Sequence, residues 1–423
     1  MLNKLKPKSE FSRNVLTLMT GTTIAQAIPI AISPILTRIY TPEDFGLFAL
    51  YISIALLFAT AATGRYELAI MLPKKESDAV NIVFLSLLIT LIITLLTLFI
   101  VFFFNQSITN ILGNQDISSW LYFIPFTVFF MGLYQSLNYW NNRKKEYKRL
   151  AISRVVQSGV TGGANLGMGG LQFGASGLIV GNIIGQSLST LYLFNHVYKE
   201  DSRSIRLFNK IKIIALLKKY KKLPLLNMPN VLIDNFRLSG INILIAKFFT
   251  TATLGQFALA WKMVQTPMSV IGKSLSQVFF QKIASVKRDE LYGIIKKFII
   301  KASLVALPIF LIIYFFSVDI FSFVFGSNWS EAGEAASVMS PWLFLNFLTS
   351  PLSQIFIILN KQEIMLIFSI FYMATPLAIL YLFQDLEFIN ALNMVTLSMS
   401  IMLLIFIGMV LFYAKREENL KYE

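Results

Sequence analysis

Apolar runs of about twenty residues recur along almost the whole chain, and charged residues collect in the short connections between them. A run of that length crosses the hydrocarbon layer of a bilayer as an α-helix, and runs this continuous lack the two-residue alternation of a membrane barrel. The pattern predicts an all-α integral membrane protein with twelve transmembrane helices, at Val15–Thr37, Phe45–Thr63, Ala79–Phe104, Trp120–Tyr139, Leu150–Gly170, Ala175–Tyr198, Leu223–Phe249, Leu254–Val278, Ile294–Phe316, Val338–Leu359, Ile364–Phe383 and Ile389–Ala414. The first run is too long for a cleavable leader and is expected to be a span. The fifth is the weakest, because VVQSGVTGGANLGMGG is rich in glycine and would make a poor helix in water. In lipid, the same small residues let neighbouring helices approach closely, so it stays among the spans.

One short stretch occurs twice. RIYTPEDFGLFAL, Arg38 to Leu50, meets KFFTTATLGQFAL, Lys247 to Leu259, on a shift of 209 positions. Thr41, Gly46, Phe48, Ala49 and Leu50 fall on Thr250, Gly255, Phe257, Ala258 and Leu259. Each copy lies between two apolar runs, as expected when one membrane hairpin opens each of two similar halves. Six spans precede a basic middle connection and six follow it, so both halves enter the membrane in the same direction. The expected organisation is an N-lobe at 1–198, a basic amphipathic linker at 199–222 and a C-lobe at 223–423, two bundles of six helices. In the linker Ile205, Leu207, Phe208, Ile211, Ile213, Ile214, Leu216 and Leu217 alternate with basic residues, which suits a helix lying on the inner leaflet. Its outer parts suit a solvated linker equally well.

The formal net charge is +15, from 37 basic and 22 acidic residues. Most of the basic residues fall on one side of the membrane. Lys4, Lys6, Lys8 and Arg13 open the chain, Lys74 and Lys75 follow, then Arg143 to Arg149, the KKYKK run, Lys282 to Lys297, Lys361, and finally Lys415, Arg416 and Lys421. The alternate connections hold Glu43, Asp44, Asp116, Asp319, Glu331, Glu334, Asp385 and Glu387. By the positive-inside rule both termini are expected in the cytoplasm. The charge therefore reports topology, and nucleic acid is not an expected partner.

Composition narrows the chemistry. Hydrophobic residues make up 56% of the chain and charged ones 14%, where a soluble domain carries about a quarter charged. With no cysteine there is no disulfide, thiolate metal site or cysteine nucleophile. No GxxxxGKS/T phosphate loop and no HExxH motif occurs, and the single histidine, His196, sits at the inner end of the sixth span. A membrane glycosyltransferase or polymerase would carry catalytic acids on a sizeable outer loop, and the largest outer connection, near Ser317–Ser337, is short. A transporter with no resident cofactor is expected, not an enzyme.

Cations remain inside or at the edges of the spans, and charges at depth tend to face a cavity or a partner. Arg237 and Lys262 lie near the middle of spans seven and eight. Asp234, one turn before Arg237, is placed to pair with it, either functionally or as a structural salt bridge. Lys262 has no acid nearby on its helix and is expected to face a cavity. Arg154 fits either a cavity or snorkelling to the inner surface, and Lys301 fits snorkelling. Arg38 and Lys247 occupy matching outer ends of the two halves, and Arg65 and Lys273 near-matching inner ends, as rim charges or helix anchors. Gln157, Asn165, Gln186 and Asn235 add amides that suit sugar hydroxyls, although for any single one joining helices in lipid is the better reading.

TGTTIAQAIPIAISPILTRIYTPEDFGLFAL followed by RYELAIMLPKK, and in the second half KKYKKLPLLNMPNVLIDNF followed by LGQFALAWKMVQTPMSVIGKSLSQVFFQ, resemble the signatures of bacterial Wzx-type polysaccharide flippases of the MOP superfamily. The resemblance implies a MATE-like fold with a central cavity between two lobes, in the bacterial cytoplasmic membrane. It implies an undecaprenyl-diphosphate-linked oligosaccharide as substrate, with membrane lipids and polysaccharide polymerase machinery as partners. Arg237 and Lys262, helped by Arg154 and Arg65 at the inner mouth, are the residues expected to meet the diphosphate. Coupling to Na+ or H+ is expected, with Asp234 as the candidate. A MATE-type exporter of organic cations is the alternative within the fold, and the cationic excess argues against it.

Overall fold

The computed structural model describes residues 10–201, 207–286, 290–359 and 361–419, with the side chains of residues 10–16, 230, 273, 274, 284, 285, 417 and 419 left aside. Of the positions singled out above, Lys4, Lys6, Lys8, Ile205, Lys287, Arg288 and Lys421 lie outside the described residues, as do the side chains of Arg13 and Lys273.

Among the described residues the chain is helical throughout, with no strand. Twelve long helices stand where the hydropathy pattern predicts twelve spans: α1 (Glu10–Ile39), α2 (Pro42–Ala61), α3 (Glu76–Leu112), α4 (Ile124–Arg143), α5 (Tyr147–Gly170), α6 (Ala175–Glu200), α7 (Met228–Phe248), α8 (Thr251–Ser285), α9 (Leu291–Phe325), α10 (Ser330–Leu352), α11 (Gln362–Leu382) and α12 (Phe388–Asn419). Nine of these are, by length and composition, apolar enough to cross a membrane. The other three, α5, α7 and α8, are the helices that carry Arg154, Asp234 with Arg237, and Lys262.

Local chemistry sets the helix ends. Pro42 takes the first turn of α2, where its missing N–H costs nothing, and Thr41 caps the helix with a capping box. The Thr41 hydroxyl accepts from the Asp44 N–H at 3.3 Å, and the Asp44 carboxylate accepts from the Thr41 N–H at 2.9 Å. In the second copy of the repeat Thr250 caps α8 in the same way, its hydroxyl accepting from the Thr253 N–H at 3.0 Å. The span expected to end at Phe104 continues as α3 to Leu112. Phe104 itself leaves helical geometry (φ −117°, ψ 15°), so the helix kinks where the sequence reading stopped. Gly113 then closes α3 in the left-handed region.

The described residues form two compact units, Met1–Ser239 and Gly240–Glu423. Within the first, α4 packs on α2, α3 and α6, while α5 packs on α6 and α1. Within the second, α10 packs on α8, α9 and α12, while α11 packs on α12. The Phe248 ring of α7 meets Tyr381 of α11 at 5.8 Å, the counterpart of α1 on α5. These pairings in one unit recur in the other between helices of matching rank, which is the internal repeat expressed as packing.

The glycine-rich α5 earns its place through proximity. A β-carbon at Gly185 of α6 would lie 2.8 Å from the Gln157 carbonyl oxygen of α5 and against the Thr161 hydroxyl. Backbones this close require glycine. After α6, Lys210–Lys219 forms the amphipathic helix expected in the linker, capped by Asn209. Ile213 and Leu216 are buried with Tyr66, Ile82, Leu85 and Trp140, while Ile211, Ile214 and Leu217 stay exposed. The Asn81 side chain ties this helix to the base of α3, accepting from the Asn209 N–H at 2.7 Å and donating to the Leu207 carbonyl at 2.9 Å.

Candidate functional site

At the basic end of the first unit, α2 gives way to two successive left-handed residues, Gly64 (φ 57°) and Arg65 (φ 63°), and then to a 3-10 turn, Tyr66–Met71. For arginine that conformation is uncommon, and its surroundings hold it there. The Arg65 Nε donates to Asn227 Oδ1 at 2.9 Å, and its Nη1 lies 3.2 Å from Glu67 Oε1. Glu67 is 1% exposed and also accepts from the Thr63 hydroxyl. This cluster ties the α2–α3 connection to the segment that leads into α7. Arg65 is thus a cation already committed to a buried carboxylate. Asp234 is the acid that the sequence singles out as the coupling candidate. In the structure the buried carboxylate is Glu67, and Asp234 is exposed.

The other cations have separate surroundings. Arg154 of α5 is half-buried and donates to the Thr22 hydroxyl of α1, a tie between helices rather than a reach to the basic surface. Arg237 is half-buried on α7, and next to its turn Asn235 Nδ2 donates to Thr60 Oγ1 of α2 at 2.6 Å. Lys262 is half-buried on α8, beside Trp261, whose ring packs 5.3 Å from Trp342. Of the expected rim charges the outer two are exposed: Arg38 Nη1 donates to the Pro34 carbonyl at 2.7 Å, and Lys247 Nζ lies 5.5 Å from the Phe248 ring. Among the amides, Gln157 donates to Gln186 at 2.5 Å, a bond joining α5 to α6. His196 Nδ1 is 2.9 Å from the Tyr192 carbonyl within its own helix, which leaves it a structural role.

Two cavities lie at the basic ends of the units. One, about 280 Å³ in the first unit, is bounded by the ends of α3, α4 and α6 and is lined by apolar side chains such as Val83, Phe84, Leu133, Leu137 and Phe194. The other, about 650 Å³ in the second unit, lies where α8 turns into α9 and is lined by Lys282, Glu290, Lys297 and Lys301 together with aromatic and aliphatic residues. Sequence reasoning missed this second grouping. It read Lys282 and Lys297 as topological charges and Lys301 as a snorkelling residue. The available signal was the spacing of Lys297 and Lys301, which puts both on one face of a helix.

Over residues 35–334 the chain matches the family described as polysaccharide biosynthesis protein. The chain belongs to that family. Among curated proteins no sequence match rises above chance. Among solved structures, this polysaccharide biosynthesis protein is similar to the lipid II flippase MurJ in an inward closed conformation, with TM-score 0.70 and 14% identity over 96% of this chain and 88% of that one. It is also similar to an inward-facing multidrug resistance MATE family transporter of the MOP superfamily, with TM-score 0.67 and 14% identity over 95% of each chain. A MOP superfamily transporter from Pyrococcus furiosus, described for the reverse polarity of its binding pocket, matches with TM-score 0.56 and 14% identity over 96% of each chain. At such identity the likeness is one of fold. The chain is a multi-pass membrane protein with the MOP transporter fold.

Proposed function

We propose that the protein is a flippase that carries an undecaprenyl-diphosphate-linked oligosaccharide from the inner to the outer leaflet of a bacterial cytoplasmic membrane, by alternating access. The product would then serve a polysaccharide polymerase. Family membership across residues 35–334 carries the reading. The cation content of the less apolar helices supports it: Arg154, Arg237 and Lys262 stand on α5, α7 and α8. A diphosphate needs such partners in a low-dielectric path, where Arg and Lys make charge-assisted hydrogen bonds. Arg237 and Lys262 are assigned to the diphosphate during crossing, Arg154 to its passage from the inner mouth, and Arg38, Lys247 and Lys273 to the rims, while Arg65, paired with Glu67, is left to closing the α2–α3 connection. An exporter of organic cations would call for acidic or aromatic walls instead.

Transport is coupled to Na+ or H+ in this reading, with Asp234 as the coupling acid. If Asp234→Asn leaves both transport and its ion dependence unchanged, that assignment is wrong. The function itself is tested by expression in a bacterial strain lacking its polysaccharide flippase. Rescue of surface polysaccharide, with lipid-linked units no longer accumulating on the inner face, is the expected result. Absence of rescue together with efflux of cationic dyes would replace the flippase with an exporter.

A further inference from the structure

The cavity at the α8–α9 turn has a mixed lining with a clear division of labour. Its apolar trough is formed by Ile271, Leu275 and Phe279 of α8, Phe298 and Val305 of α9, and Phe347 of α10. The Phe279 and Phe298 rings, 4.2 Å apart, fasten the two helices along its wall. Lys282, Lys297 and Lys301 line the same space, with Glu290 as the carboxylate among its described lining residues. Neither Lys297 nor Lys301 makes an ion pair among the described residues.

Stability does not account for these lysines. Lys297 and Lys301 stand one turn apart on α9, and like charges at that spacing weaken a helix. Lys301 lies about 15 Å along the helix axis from Leu291, at a depth where a cation is costly unless it serves a cavity. At the repeat offset of 209, Lys297 and Lys301 correspond to Leu88 and Ile92 of α3, which are exposed apolar residues. The same positions in the first unit thus present hydrocarbon to lipid, and only the second unit presents cations.

An apolar trough beside a cluster of cations at the basic end fits an amphiphile with an anionic head and a single hydrocarbon tail. Lys297 and Lys301, neither of them in an ion pair among the described residues, leave an excess of two positive charges. That excess matches a diphosphate, which carries about two negative charges, better than a glycerophospholipid with its single phosphate and two chains. We infer that this cavity is a docking site for a polyprenyl diphosphate, with the diphosphate held by Lys282, Lys297 and Lys301 and the first isoprene units lying along Phe279, Phe298 and Phe347. The inference rests on the flippase reading and adds the place on the basic side where the substrate is first held.

The test is binding of a fluorescent polyprenyl diphosphate to the full chain in phosphatidylcholine nanodiscs. Lys297→Gln with Lys301→Gln is expected to weaken binding about tenfold per lysine. Lys297→Arg with Lys301→Arg should retain binding, and Val305→Trp, which narrows the trough from an exposed position, should weaken it. Phosphatidylglycerol should not compete. Unchanged binding in the Gln pair, or equal competition by phosphatidylglycerol, would remove the docking site while leaving the flippase reading in place. A wild-type chain that binds no polyprenyl diphosphate would bring down both.

Discussion

The basic ends of α2–α3 and α8–α9 occupy equivalent places in the two repeats, yet one is sealed and the other open. In the first unit the connection folds into left-handed Gly64 and Arg65 and a 3-10 turn, closed over the ion pair of Arg65 with the buried Glu67. In the second unit α8 runs on to Ser285, and the turn leaves a cavity of about 650 Å³ with lysines along it. The helices on either side pack on the fourth helix in both units, α2 and α3 on α4 and α8 and α9 on α10, so the repeat fixes that scaffold and leaves the connections free to differ. A duplicated fold can in this way hold one end rigid and give the other a binding surface.

The largest expected effect comes from opening the sealed end. Glu67→Ala leaves the Arg65 guanidinium with Asn227 but without its carboxylate, in a site where Glu67 is 1% exposed. Breaking a buried pair by removing one partner costs about 3 kcal/mol, and thermal unfolding in detergent should register it. Arg65→Gln with Glu67→Gln should recover part of the loss. If the single and double variants unfold alike, the pair is not what closes this connection.

Exchanging the two faces sharpens the contrast. Ile92→Lys gives α3 the cation that α9 has at Lys301, but on a surface that meets hydrocarbon, at a cost of about 2.5–3.5 kcal/mol. Lys301→Leu makes the reverse change and should leave folding intact. Poor membrane yield of the first and normal yield of the second is the expected outcome, and equal yields would mean that the α9 face is no different from that of α3.

Much of this scaffold was legible from hydropathy, and the reasons it stops short are local. The helix-length runs, the charge alternation and the repeated TxxxxGxFAL stretch locate the long helices and their duplicate packing, because a bilayer imposes period and length on every span. Burial inside the fold is another matter. Glu67 is enclosed because Gly64 and Arg65 turn the chain back on itself, and hydropathy carries no trace of that turn. Lys282 and Lys297 were hidden by the very rule that explained them, since positive charges are expected on that side whether or not a cavity lies between them, and snorkelling hid Lys301 in the same way. Asp234 shows the converse, a residue deep in a span by count that the fold leaves exposed.

The units also differ in how their fifth and sixth helices meet. In the first, α5 and α6 touch through glycine, with Gly185 against Thr161 and the Gln157 carbonyl. In the second, α11 and α12 meet through Phe368 and Phe406, with ring centroids 4.8 Å apart. Gly185→Ala should therefore cost about 1–3 kcal/mol by forcing the backbones apart. A loss of thermal stability of that order is expected, and none at all would show that α6 can move away freely.

The smallest effect separates the two copies of the repeat at a single hydroxyl. Tyr40 and Phe249 hold the same place before the helix-capping threonines, but the Tyr40 hydroxyl donates to the Asn165 carbonyl at 2.6 Å, while the Phe249 ring only packs on Phe388 at 5.3 Å. Tyr40→Phe makes the copies alike and should cost about 1 kcal/mol, the net value of one hydrogen bond. Burial, with the Asp44 carboxylate adding to it, pushes the Tyr40 phenol up to about 12. A raised folded value means that the fold favours the neutral phenol. Its contribution is complete below the ordinary tyrosine value near 10 and is lost as pH rises through about 12. Unfolding temperatures recorded across that window should fall more steeply for the wild type than for Tyr40→Phe, because the variant has no phenol to ionise at this position. Parallel curves would mean that the hydroxyl does not distinguish the first copy from the second.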